Sequence, residues 1–344
     1  MGVTYSFRNL PPGVREEAQA RGAVNRRALV EMRTEVMPRH KPMDIDRWER
    51  ERSGDVIRVL TRAQTENAAL VDKTWGMTLT AQGYQLRPLG YIRPESFAGQ
   101  MPDGDPLDMV ATAVANRVRE RLALGAEPLQ AWQAGGKLLA TITQTALSDA
   151  SRMAKMVAGL ARPRTLYVRM LNRPSCPRCV VLAGKRGFWS EPFKRHPGCD
   201  CTQVPVPMDS DDTFDGPEFN PRAYFDAMDA AEQDRRFGAA VAEAIREGAD
   251  ISQVVNASGM SDSGTGFTKS GATARGGAVR YYYGPDGTVT GRREFNRMSP
   301  QQIIRQTEGD PQRRVALLYV HGYLTDEEPG QRTSTVITKR STTR

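Results

Sequence analysis

All four cysteines of this 344-residue chain fall between positions 176 and 201. They stand as Cys176-Pro-Arg-Cys179, then sixteen residues, then His196-Pro-Gly-Cys199-Asp-Cys201. Four cysteines scattered at random rarely collect so tightly, so one site gathers them. The fold must therefore bring two short stretches of chain together. A Cys-x-x-Cys turn presents two thiolates from one knuckle, and a second close pair completes a tetrahedron around a borderline cation such as zinc. Cys176, Cys179, His196, Cys199 and Cys201 are the candidate ligands, one more than a tetrahedron needs. Three other readings compete with structural zinc: reduced structural thiols, two disulfides, and a thioredoxin-like redox pair. Met1–Pro12 lacks the charged-then-apolar layout of an export signal, which predicts a reducing compartment and disfavours disulfides. A redox pair opens a long helix inside a βαβ unit, whereas Val180–Ala183 is stopped by Gly184. The spacing implies no open coordination position, so a catalytic metal is not expected.

The rest of the chain reads as mainly α. A helix is expected over 13–36 and a second over Asp44–Thr74, with a break near Ser53-Gly54. A Gly/Pro-punctuated segment follows, up to Asp105 as N-cap and Pro106 at the first helical position. The next helix ends near Gly125. Another starts after Pro128 and is interrupted at Gly135-Gly136. Its second part carries Leu139, Ile142, Ala146, Ala150, Met153, Val157 and Leu160 as an apolar face. Thr165–Met170 reads as a strand and 203–221 as an acidic, proline-containing loop. Asp209, Asp211 and Asp212 do not make a calcium loop, because Phe214 and Asn220 stand where Gly and Glu are required. Helices are expected from Pro221 and over Ala230–Glu247. From Ser258 to Thr290 a Gly/Ser/Thr/Arg-rich arm carries the Tyr281–Tyr283 cluster, and Ser299–Val320 forms a last helix. The fold expected is mainly α with a small α+β zinc-knuckle module and a flexible basic C-terminal arm. Its parts are a helical region 1–160, a cysteine module 161–257 and an arm 258–344.

Charge and hydropathy exclude some classes. No apolar run approaches the roughly 20 residues of a membrane-spanning helix. Lys and Arg total 48 against 40 Asp and Glu, a formal charge of +8. Basic and acidic residues alternate over most of the chain, which is the pattern of a solvated surface. The exception is Gln331–Arg344, where Arg332, Lys339, Arg340 and Arg344 occur without an acid. That tail is a candidate nucleic-acid contact.

The order strand, Cys-x-x-Cys, Leu182-Ala-Gly-Lys185, Phe188-Trp189 and His-Pro-x-Cys-x-Cys resembles the signature of phage head-morphogenesis proteins, the MuF-like minor capsid proteins. Tyr167-Val-Arg-Met-Leu-Asn172 and Arg195-His-Pro-Gly-Cys-Asp-Cys201 are most similar to the forms in phages of actinobacteria. So are Ala231–Gly238, Ala244–Asp250 and Val254–Ala257. The resemblance covers about residues 130–325. It implies a minor virion component, made beside the portal protein and built in small numbers into the procapsid. Portal, scaffold and major capsid proteins are the implied partners, with packaged DNA as a partner for the basic tail and no membrane. The implied location is the capsid interior or portal vertex, reached from the host cytoplasm. Some members are described as capsid maturation proteases, and others of the wider class carry toxin domains.

The residues themselves do not display an enzyme. A serine protease needs a base within reach of its nucleophile, and there are three histidines. His196 belongs to the cysteine cluster, His40 lies in a loop between helices, and His321 stands at a helix end. No Gly-x-Ser-x-Gly elbow is present. Gly264-Thr-Gly266 and Gly135-Gly-Lys137 lack the spacing of a phosphate-binding loop. The arm after residue 250 is a poor candidate for a toxin domain. The expected function is head morphogenesis, with a capsid maturation protease as the alternative and its catalytic residues unknown.

Overall fold

The computed structural model describes residues 2–88, 90–92, 94–99, 101, 106–172, 174–189, 193, 199, 201–258, 267–268, 279–283, 289–294, 297–298 and 305–320. The chain is mainly helical and divides into two compact units. The first comprises 1–175 with 182–220, and the second 176–181 with 221 onward.

The first unit begins with β1 (Thr4–Tyr5) and α1 (Val14–Glu31), which runs on as a π-helical turn, Met32–Val36. Next come α2 (Ile45–Ala81), α3 (Asp108–Ala123) and α4 (Pro128–Leu160). Asp44 caps α2 by accepting from the Arg47 amide at 2.8 Å. No break occurs at Ser53-Gly54. Gly54 sits on the exposed face, where a helical glycine costs only about 1 kcal/mol. The buried row Val56, Val59, Leu60 and Ala63 outweighs that cost. The helix also runs past Thr74 because Trp75, Thr78 and Leu79 are buried. Likewise α4 is continuous through Gly135-Gly136. A Cβ at Gly135 would come within 2.5 Å of Val118 Cγ2, so this glycine lets α3 approach α4. Helix α3 starts at Asp108, two residues later than expected, and Asp105 lies outside the described residues.

Helices α2 and α4 pack on each other and on α1 and α3. Their core holds Met32, Trp48, Leu60, Val114, Trp132 and Leu147. The Trp48 and Trp132 rings meet edge to face at 6.3 Å. Each indole N–H finds a carbonyl on the segment that leaves the π turn. Trp48 donates to Val36 O at 2.8 Å and Trp132 to Pro38 O at 2.7 Å.

A three-stranded antiparallel sheet joins this bundle: β2 (Thr165–Met170), β3 (Arg186–Gly187) and β4 (Thr202–Pro207), in the order β3-β2-β4. The start of the segment expected to be a loop, 203–221, is therefore strand. Val204 and Val206 are buried and face β2, with Val168 opposite Val204 and Leu166 opposite Val206. Pro205 and Pro207 are tolerated because β4 is an edge strand and proline there forfeits no ladder bond. The outer carbonyls are taken by helices, Pro205 O by Gln82 Nε2 at 2.9 Å and Gln203 O by Lys155 Nζ at 3.2 Å. A further strand, β5 (Thr213–Phe214), pairs in parallel with β1.

The second unit contains α5 (Pro177–Val180), α6 (Pro221–Asp226), α7 (Ala230–Phe237), α8 (Ala239–Arg246) and α9 (Ile251–Ser258). The helix expected over Ala230–Glu247 is two helices, because Gly238 adopts φ 84° between them. That angle admits glycine and disfavours other residues. Phe225 and Phe237 meet edge to face at 5.2 Å in this unit. Further along, β6 (Phe267–Thr268) pairs with β9 (Arg297–Met298), and β7 (Val279–Tyr283) with β8 (Val289–Glu294). Of the last expected helix, α10 spans Pro311–Val320, opened by Asp310, whose carboxylate accepts from the Arg313 amide at 3.0 Å.

Candidate metal centre

The register of the sheet delivers the cysteines. Strand β2 ends at Met170, opposite Thr202 at the start of β4. Cys201 immediately precedes β4, so Cys199 and Cys201 arrive at the end of the sheet where β2 stops. After β2 the chain reaches Cys176, whose carbonyl accepts from the Cys179 and Val180 amides at 3.0 Å. This is the first turn of α5, only four residues long.

The thiols of Cys179, Cys199 and Cys201 lie within 4.8 Å of one another, and all three are buried. Such a group could hold a metal ion. Zinc–sulfur bonds of about 2.3 Å in a tetrahedron place sulfurs about 3.8 Å apart, so a small contraction would seat an ion. Soft thiolates suit zinc, Cu(I) or iron. No disulfide joins the four cysteines. Cys176 is half-buried and is not part of the three-thiol group. His196 lies outside the described residues, as do His321 and the tail residues Arg332, Lys339, Arg340 and Arg344. His40 is exposed, on the turn between the π segment and α2.

The surroundings of the thiols were not legible in the sequence. Arg152, on α4, is 4% exposed. Its guanidinium donates to Cys199 O at 2.7 Å, to Cys201 O at 2.8 Å and to Asp149 Oδ1 at 2.8 Å. It also approaches Cys199 Sγ at 3.4 Å. Arg169, on β2, donates toward the same sulfur at 3.8 Å. Phe193 lies against both, 5.1 Å from the Arg152 guanidinium carbon and 4.2 Å from that of Arg169. A divalent ion on three thiolates leaves a net charge of −1, and on four, −2. Arg152 and Arg169 place positive charge and donors beside the sulfur, partly offset by the buried Asp149 carboxylate, as hydrogen-bond donors around thiolate sites do.

No protein-family model, curated protein or solved structure matches the chain.

Proposed function

We propose that this chain is a MuF-like minor capsid protein of a tailed phage and that its cysteine centre holds a structural zinc ion. The observation that carries the reading is the union of the two halves of the motif. The Cys-Pro-Arg-Cys turn and the His-Pro-Gly-Cys-Asp-Cys element, sixteen residues apart, contribute to one buried three-thiol cluster. Cys179, Cys199 and Cys201 supply three ligands, and Cys176 or His196 the fourth. Four protein ligands in a buried setting are the pattern of a closed, structural zinc site. Binding such an ion contributes on the order of 10 kcal/mol to folding in small zinc modules.

On this reading the protein acts in procapsid assembly near the portal, with portal, scaffold and major capsid proteins as partners. Mass spectrometry of purified virions tests it, with a few copies per particle expected. Absence from virions and from procapsids alike overturns it. Co-expression with the phage's scaffold and major capsid protein separates assembly from proteolysis. Capsid-like particles that form only with this chain present, over uncleaved scaffold, agree with the proposal. Scaffold cleavage lost in His40→Ala, with zinc content unchanged, establishes the maturation protease instead.

A further inference from the structure

A cavity of about 330 Å³ opens in the first unit between the Met32–Val36 turn and the N-terminal part of α4. Its floor is formed by Met32, Met37, Trp132 and Leu139. The Trp132 N–H is already committed to Pro38 O, so its indole offers the cavity a ring face and no donor. The walls are soft as well as apolar, since methionine adapts to irregular ligands.

The rim differs in kind. Arg33, Arg39 and Lys137 border the opening, all three exposed, and no carboxylate residue lines it. Among the described residues none of the three forms an ion pair, although most other exposed arginines on α2 and α3 do. Lys137 also faces a second, shallower depression lined by Arg121 and Arg117. An apolar floor under a cationic rim disfavours a cation, and Gln133 is the one polar uncharged side chain in the lining.

The backbone at this place is also unusual. The Met37 amide donates to Met32 O at 2.8 Å, the i to i+5 closure of a π turn. Such turns are rare and cluster at functional sites. Here the turn carries Met32 and Arg33, one residue of the floor and one of the rim.

We propose that this cleft binds an amphipathic anion, an unbranched aliphatic chain that lies on Met32, Met37, Trp132 and Leu139 with its carboxylate at Arg33, Arg39 and Lys137. The volume sits at the lower end of ligand cavities, roughly 300–1,000 Å³, which suits one chain rather than a ring system. The chain supplies the affinity and the rim selects the charge. The proposal is independent of the capsid reading.

The test is a titration of the full-length protein, followed by calorimetry and by tryptophan fluorescence. The probes are hexanoate, octanoate and decanoate, with decanol and decyltrimethylammonium as neutral and cationic counterparts. Affinity should rise about fourfold per added methylene, the equivalent of about 0.8 kcal/mol each. Decanoate should outbind decanol, and the cation should not compete. Gly136 lines the cavity, and a Cβ there meets nothing within 4 Å. Gly136→Leu should therefore fill the cleft and abolish binding without lowering the melting temperature, since leucine favours helix over glycine. The double variant Arg39→Glu/Lys137→Glu changes only exposed residues without ion pairs. It should weaken decanoate roughly tenfold or more and strengthen the cation. No saturable binding of any chain, equal binding of anion and cation, or decanoate binding retained in folded Gly136→Leu would overturn the proposal.

Discussion

Lys155 Nζ lies 2.5 Å from a Glu17 carboxylate oxygen, and both side chains are shut away from solvent. The pair ties α4 to α1, and Lys155 also donates to Thr202 Oγ1 on β4. Burial dominates its chemistry. It pushes the ammonium from the usual 10.5 down to about 8, against the opposing pull of Glu17. The unfolded chain keeps the ordinary value. Between pH 8 and 10.5 the unfolded state holds a proton that the folded state has released, so stability rises with pH across that window. Below it, the fold carries the cost of a buried charge.

The first prediction follows. Urea midpoints of the wild-type protein should climb between about pH 8 and 10 relative to Glu17→Gln/Lys155→Met, which lacks this titration. Lys155→Met alone should cost about 3–5 kcal/mol by stranding Glu17, and the double variant far less. A pH-independent difference between the two proteins would sink the assignment.

Metal content gives the second prediction. The purified protein should carry about one zinc per chain. Cys179→Ser, Cys199→Ser and Cys201→Ser should each lose it and melt lower. Of Cys176→Ser and His196→Ala, the one that also strips zinc identifies the fourth ligand. Metal-free protein whose melting ignores chelator refutes the centre.

A third prediction concerns the contact between α4 and Trp189. A Cβ at Gly159 would sit 2.2 Å from the Trp189 ring. That ring lies between Trp75 at 4.7 Å and Tyr167 at 5.0 Å, and its N–H bonds Thr165 Oγ1 at 3.0 Å. Gly159→Ala gains about 1 kcal/mol of helix propensity. Overpacking costs about 1–3 kcal/mol, and a ring fixed on three sides cannot yield cheaply. The expected net effect is a loss of about 1–2 kcal/mol in urea unfolding. A stabilised variant contradicts it.

Trp48→Phe supplies the fourth. It removes the donor that Val36 O receives inside the core and shrinks a fully buried side chain. An orphaned buried acceptor costs about 1–3 kcal/mol, so thermal unfolding should fall by several degrees. An unchanged transition would mean that water reaches the carbonyl.

How far the sequence could be read depended on whether one signal stood alone. Thr165–Met170 was legible as a strand because its composition had no competitor. The opening of 203–221 was not, since prolines and aspartates signal a turn until the partner strand is known. The charged residues of α4 carried no sequence signal of their burial. Asp149, Arg152 and Lys155 recur every three residues, and all three are buried. Val157 and Leu160, expected in the apolar face, are 39% and 55% exposed. Only the partners explain the reversal: Glu17, the carbonyls of Cys199 and Cys201, and Thr202. The cysteine cluster was visible from spacing, because 26 residues confine it. The arginines that fasten it come from α4 and β2, where nothing local marks them.

The edge of β4 bears on how copies of this chain can associate. An open strand edge recruits other strands through its free amides and carbonyls. Here two of the three outward positions, Pro205 and Pro207, have no amide hydrogen at all. The outward carbonyls are spoken for: Gln203 O by Lys155, Pro205 O by Gln82, and Pro207 O by the Ser210 amide at 3.3 Å. This margin offers almost nothing for an incoming strand to read. Recruitment of a neighbouring strand by sheet extension is therefore blocked at β4 by the absence of both donors and free acceptors.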